Sequence, residues 1–316
     1  MFGQKLFTKS DVAIVRSRDA KKISDLLCES KSLSPQAEQE LITQGETKHI
    51  LLLIKNCLIS AKGVQAIMKR GITEEILQVL TVKKPMLDTK IAKMILQRDN
   101  EDEILSMIVN AHYSEEVVSS VIQRGKHIEI MRLIANVDVS EANAIKIIER
   151  DNEEEIRKVV ERCRNLSAES LLKILQGEKH HTAVMAFLQK KWRISSVVVD
   201  AVFQRGNHEE IMQMLNNRSC EIPFSRILES ENIEEIETYV EKHVGQIGVV
   251  DGDEYLKDCN NVTLVKVFAG KGLIRSAVLA TWLEKGKLDL LTEYAKQIPD
   301  GINLLVQLEI LKKLNA

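Results

Sequence analysis

The sequence predicts an all-α solenoid, a superhelix of about ten to eleven two-helix repeats of roughly 27 residues. Three observations carry that expectation. A short motif recurs at a near-constant interval from one end of the chain to the other. Each interval holds two sets of apolar residues at helical spacing. A Gly, an Asp or a similar residue punctuates the middle of each interval.

The motif is plainest in Ile95-Leu96-Gln97-Arg98-Asp99, Val121-Ile122-Gln123-Arg124-Gly125, Ile147-Ile148-Glu149-Arg150-Asp151 and Val202-Phe203-Gln204-Arg205-Gly206. An aliphatic residue follows each at the same distance: Ile104, Ile130, Ile156 and Ile211. With the last residue of each motif as anchor, the anchors are Arg18, Gly45, Gly71, Asp99, Gly125, Asp151, Glu178, Gly206, Glu231, Cys259 and Gly286.

Four and three residues before the anchors stand apolar pairs such as Leu41-Ile42, Ile67-Met68, Ile174-Leu175, Ile227-Leu228 and Trp282-Leu283. Five, eight and nine residues after them stand sets such as Ile50, Leu53 and Ile54, or Ile76, Val79 and Leu80, or Leu264, Val267 and Phe268. In the seventh unit Val184, Phe187 and Leu188 arrive one residue late. Spacings of three and four lay one stripe on a 3.6-residue helix. Each unit therefore holds a helix A ending near the anchor and a helix B beginning just after it.

The punctuation agrees. Ser114 and Ser140 precede acidic first turns and read as N-caps of helix A. Glycine at the anchor closes helix A in the left-handed conformation, which Asp tolerates less well. Acidic runs open helix B at Glu74-Glu75, Glu101-Asp102-Glu103, Glu153-Glu154-Glu155, Glu209-Glu210 and Glu234-Glu235. Asn56, Asn110, Asn136 and Asn217 are placed to close helix B in the same left-handed way. About ten residues per helix gives roughly 15 Å of length. Helices so short are marginal alone, so each unit must bury its stripe against its neighbours.

Composition sets the outer bounds. A hydrophobic content of 44% suits a folded chain, and the longest aliphatic run, Ile50 to Ile54, is far too short to span a membrane. Met1 to Ser10 lacks the apolar core and cleavage site of a secretory signal. Cys28, Cys57, Cys163, Cys220 and Cys259 are dispersed without CxxC spacing, as expected of reduced thiols in a cytoplasmic protein. A net charge of −2 excludes a uniformly polycationic nucleic-acid binder. No linker interrupts the array, so residues 1–316 read as one elongated domain. Two local features stand out in it. An irregular, glycine-containing loop is expected at Gly245–Asp253. An apolar capping helix is expected near 301–314, where Ile302, Leu304, Leu305, Val306, Leu308, Ile310, Leu311 and Leu314 offer a surface for self-association.

The segment from Tyr113 to Gly125, continued through Ile130-Met131-Arg132-Leu133-Ile134-Ala135-Asn136, resembles bacterial short-helix repeat proteins. Similar are the leucine-rich-repeat-variant group and a related bacterial family known only as a domain of unknown function. Common to them are an acidic start to helix A, Arg-Gly or Arg-Asp at its end and an Asn ending helix B. The resemblance is clearest over repeats three to eight. It implies a right-handed superhelix and brings no catalytic residue. The cysteine cluster that holds iron and sulphur beside some variant repeats has no counterpart here.

One position invites a functional reading. The residue before the anchor is arginine at Arg70, Arg98, Arg124 and Arg150, in four consecutive repeats, and again at Arg205. Stacked repeats would align these guanidinium groups into a ladder. A ladder of this kind suits phosphates or an acidic peptide. It also suits a purely structural role, complementing the dipole of helix A and pairing with the acidic start of a helix B.

His127 and His208 share a repeat position and His180-His181 lies close to it, yet no i, i+4 metal pair or catalytic triad accompanies them. Asp251 and Asp253 lack the remaining ligands of a calcium loop. Aromatic residues are 4% of the chain, and Trp192 and Trp282 fall at different repeat phases, so no periodic base-stacking platform is present. No phosphate loop, nucleophile elbow or HExxH motif occurs, and no cofactor is implied. The expected function is a non-enzymatic scaffold for a protein or peptide partner. The alternatives are a nucleic-acid or polyanion binder using the arginine ladder, and a DNA glycosylase built on HEAT-like repeats.

Overall fold

The computed structural model describes residues 10–163, 166–177, 179–190, 193–217, 220–243, 249–299, 301, 303–304 and 306–307. Two compact units divide it, Met1–Arg150 and Asp151–Ala316. Among the described residues no β-strand forms; the only extended pairings are two isolated parallel bridges, Ser32 with Leu58 and Met86 with His112.

In the first unit the helices alternate A, B. They are α1 (Ser10–Ser17), α2 (Ala20–Glu29), α3 (Pro35–Gln44), α4 (Thr47–Asn56), α5 (Ala61–Arg70), α6 (Thr73–Lys83), α7 (Thr89–Arg98), α8 (Glu101–Asn110), α9 (Glu115–Arg124), α10 (His127–Asn136) and α11 (Glu141–Ile148). The second unit opens on a B helix. It holds α12 (Glu153–Arg162), α13 (Ala168–Gln176), α14 (His181–Leu188), α15 (Ser196–Arg205), α16 (His208–Leu215), α17 (Phe224–Glu229), α18 (Ile233–Lys242), α19 (Val249–Asp258), α20 (Val262–Gly270), α21 (Ser276–Glu284) and α22 (Leu288–Gln297). Within the first unit each A helix packs on the next A helix and each B helix on the next B helix. In the second, B helices α12 to α22 stack in series in the same way. The fold is an all-helical repeat array.

Every described anchor lies between an A helix and its B helix, and the backbone there bears on the residue choice. Gly71, Gly125, Gly206 and Gly286 have positive φ, and so do the non-glycine anchors Arg18, Asp99, Asp151 and Glu231. At these eight anchors the turn takes the left-handed conformation whether or not glycine supplies it, whereas Gly45 closes α3 with φ of −73°. The predicted stripes are the core: Ile67, Ile76, Val79, Leu80, Ile104, Ile130 and Ile156 are all fully buried. Ser34, Ser60, Ser140 and Ser167 cap A helices by accepting a backbone N–H, as does Asp88.

Several local expectations are corrected. The stretch expected to be irregular over 245–253 is helical from Val249 onward, and 245–248 lie outside the described residues. Gly252 costs a helix interior about 1 kcal/mol. Burial of Leu256, whose carbonyl accepts from Trp282 Nε1 at 2.7 Å, offsets that cost.

The tenth repeat runs one residue later than Cys259 implies. Its buried set is Leu264, Val265, Phe268 and Ala269, with Val267 only half-buried, because Asn261 caps α20 through Thr263 N and Leu264 N. Leu283, assigned to the core, is 51% exposed. Asn56, Asn110 and Asn136 end their helices without a left-handed residue, and Asn217 lies beyond the end of α16, also without one. Of the capping helix near 301–314, residues 302, 305 and 308–314 lie outside the described set, as do Glu178 and Trp192.

Candidate functional site

The arginine ladder is built from three residues of each A–B turn. Helix A delivers an arginine at its last position, the anchor turns the chain, and helix B begins with a cap. The third residue of helix B is a glutamate with almost no exposed surface: Glu75, Glu103, Glu129, Glu155, Glu210 and Glu235. A lone buried carboxylate costs several kcal/mol. The arginine five residues earlier resolves that cost in four repeats. Arg70, Arg98, Arg124 and Arg205 each bond the glutamate through Nε and NH2, with Nε contacts of 3.0, 2.7, 3.0 and 2.8 Å. Such two-pronged pairing is the strongest geometry available to this ion pair. The bond to Glu103 raises Arg98 further above its ordinary pKa, and that to Glu129 does the same for Arg124.

The rest of each guanidinium reaches back one repeat. Arg70 donates from NH1 to Ile42 O at 2.7 Å and from NH2 to Gly45 O at 3.2 Å. Arg98 reaches Gly71 O at 2.8 Å and Arg150 reaches Gly125 O at 2.9 Å. Arg124 takes Leu96 O at 2.7 Å and the Asp99 carboxylate at 2.5 Å; Arg205 takes Leu175 O and Gly177 O at 2.7 and 2.8 Å. These carbonyls end the preceding A helix, where they lack intrahelical partners. Arg70, Arg98, Arg124 and Arg205 therefore tie the end of the preceding A helix, or the turn after it, to the glutamate that follows them, and Arg150 reaches the preceding turn at Gly125 O.

The guanidinium donors of Arg70, Arg98, Arg124 and Arg205 are thus already directed at protein acceptors. Arg70 shows this most fully. Its five N–H groups face Glu75 twice, Ile42 O, Thr43 O and Gly45 O. The side chains of Arg70, Arg124 and Arg205 keep only 19, 20 and 12% of their surface.

Two elements of this network were not anticipated. The buried glutamates, except Glu129, lie inside acidic runs that read as ordinary first-turn acids. The N-caps of helix B are asparagines at Asn100, Asn152, Asn207, Asn232 and Asn261, each accepting a backbone N–H. An Asn one residue past Asp99, Asp151, Gly206 and Glu231, and two past Cys259, was the available signal for them.

The first residue of helix B adds a rung between repeats. Thr73 Oγ1 donates to Glu103 at 2.8 Å. His181 Nδ1 lies 3.0 Å from Glu210 and His208 Nδ1 lies 2.7 Å from Glu235. Hydrogen bonds to these carboxylates, above all, raise both imidazole pKa values. His127 is exposed, and His180 Nε2 contacts Asp151 at 2.8 Å. The described residues hold no group of three or more His, Cys, Asp or Glu placed for a metal. The aromatic residues that do cluster lie in the core of the second unit, where Phe224 stacks on Tyr239 and meets Phe268 at a tilt.

The B helices of the first unit carry a different surface. Leu51, Leu77, Leu105 and Met131 occupy one repeat position in α4, α6, α8 and α10, just outside the fully buried stripe, and all four are half-buried. On the same face Val109, four residues after Leu105, and Ile128, three before Met131, are 46 and 55% exposed.

No protein-family model matches the chain, and no curated protein or solved structure matches it significantly. No helix among the described residues is long and apolar enough to cross a membrane.

Proposed function

We propose that this protein is a non-enzymatic, cytoplasmic scaffold that binds a protein partner along the B-helix face of its first unit. The observation that carries the reading is the half-buried apolar row of Leu51, Leu77, Leu105 and Met131, with exposed Val109 and Ile128 on the same face. Apolar side chains lined up at a partly open surface are what an interaction site needs. A row stepping from helix to helix suits an amphipathic polypeptide segment laid across several repeats. The arginines, in contrast, are engaged with internal acceptors, which leaves a polyanion few donors to meet.

The test is to isolate the partner by native co-purification, purify it and reconstitute binding. The double variant Leu77→Gln/Leu105→Gln, checked for unchanged helicity, should weaken binding by about tenfold or more, and wild-type affinity should change little with salt. Unchanged affinity in the double variant would sink this reading. A steep loss of affinity with added salt would instead point to phosphate or polyanion binding.

A further inference from the structure

The ninth repeat breaks the rule of the ladder. It keeps the buried glutamate, Glu235, at 2% exposure, but five residues earlier stands Ser230 where the others have arginine. Ser230 Oγ is occupied locally, donating to Ile227 O at 2.8 Å and accepting from Asn232 N at 3.3 Å. Oε1 of Glu235 contacts His208 Nδ1 at 2.7 Å, while Oε2 is buried with no hydrogen-bond partner among the described residues. A buried carboxylate oxygen in that condition is costly and asks for a donor.

Beside it lies a cavity of about 360 Å³ between α15 and α17, lined among others by Phe203, Gly206, His208, Arg226, Ser230 and Glu235. Its position is that of a guanidinium in the other rungs. Arg70 reaches the carbonyls three residues before the preceding anchor and at that anchor, Ile42 and Gly45. The equivalents here, Phe203 and Gly206, both line the cavity. A Cβ placed on Gly71 or Gly125 would meet the next repeat's arginine NH1 at 2.5 or 2.9 Å, whereas one on Gly206 would meet nothing within 4 Å. Arg226, the nearest cation on α17, pairs with Asp200 at 3.0 Å and Glu229 at 2.8 Å instead.

We infer that this cavity receives a guanidinium group from outside the chain, the side chain of an arginine on a partner polypeptide, which completes the ladder in trans. A planar fork of N–H donors fits the Glu235 carboxylate and two carbonyls better than the point charge of an ammonium, and the other two carboxylates of the lining, Asp200 and Glu229, are paired with Arg226. That the arginine comes from a polypeptide rests on the scaffold reading; the pocket itself does not.

The experiment is calorimetric titration of the full chain with N-acetyl-L-arginine amide, N-acetyl-L-lysine amide and agmatine. The arginine amide should bind one site with Kd on the order of millimolar, at least about tenfold tighter than the lysine amide. Ser230→Arg should abolish that binding and raise the melting temperature, because it supplies the guanidinium internally. Glu235→Gln, with folding verified by circular dichroism, should weaken binding by about tenfold or more.

Equal binding to wild type and to either variant overturns the site. So does a lowered melting temperature in Ser230→Arg. Agmatine binding at least about tenfold tighter than the arginine amide overturns the polypeptide source and makes the ligand a small metabolite. A failure of the scaffold reading shows separately, in the Leu77→Gln/Leu105→Gln variant, which leaves this pocket untouched.

Discussion

At the scale of single residues, the decisive pairing is a buried carboxylate with an arginine five positions before it. Removing one partner of such a pair leaves an uncompensated buried charge, which costs about 3–5 kcal/mol. Arg124→Gln should therefore destabilise the fold by that amount in urea denaturation. Glu129→Gln added to it should restore part of the loss, because no charge then remains buried. If the two effects simply add, the pair is not the unit that matters. Arginine was legible as a recurring letter, but its glutamate was in most repeats hidden in a run of acids, Glu129 excepted. Only the third helical residue of each run turns inward, and composition cannot tell it from its neighbours.

The histidines add a pH term whose sign is fixed. His181 and His208 gain hydrogen bonds to Glu210 and Glu235 on folding, which raises their pKa values above the ordinary 6.5. Glu209 and Glu234 face the same rings and act in the same direction. Their stabilising contribution is fully present below about pH 6.5 and is lost as pH rises through the raised values. The melting temperature should fall as the pH rises above about 6.5, and His181→Gln/His208→Gln should flatten that fall. An identical slope in the double variant would assign the pH dependence elsewhere.

At the scale of the element, the A–B turn is the part of the structure most fully written in the sequence. The anchors were found by period alone, and the left-handed backbone explains why glycine recurs there. It also exposes a weakness where another residue holds the place. Glu231 has φ of 51°, a conformation that costs an L-residue about 1–2 kcal/mol. Allowing for the greater chain entropy of glycine, Glu231→Gly should stabilise by about 0.5–1 kcal/mol. Gly71→Ala should do the reverse and more, since the new Cβ would also collide with Arg98 NH1 at 2.5 Å. Gly206→Ala, with open space beside it, should show the backbone strain alone. Equal losses at positions 71 and 206 would mean that the guanidinium moves aside freely.

The ends of helix B were less legible. Asn56, Asn110 and Asn136 suggested left-handed closures, yet that role passes to other contacts. Lys83 Nζ bonds Cys57 O at 2.8 Å and His243 Nε2 bonds Leu215 O at 2.8 Å, each capping the preceding B helix from the next repeat. Such caps have no local spacing and could not be read from a single unit.

At the scale of the whole molecule, the first unit is a series in which each helix touches its own partner and the next helix of its layer. Helices of about ten residues do not persist alone, so stability passes between neighbours and should decay along the series. Ile130 in α10 is fully buried, and Ile130→Ala should cost about 2–5 kcal/mol. Hydrogen exchange followed by mass spectrometry should then show accelerated opening in α8, α9 and α10, with α1 to α4 close to wild type. The ladder sharpens this expectation, because Arg124 ties α9 to the end of α7 through Leu96 O and to α10 through Glu129. Equal acceleration from α1 to α11 would show that the unit opens as one cooperative block. The caps and ion pairs that cross each repeat boundary would then couple distant repeats more strongly than the short helices are weak.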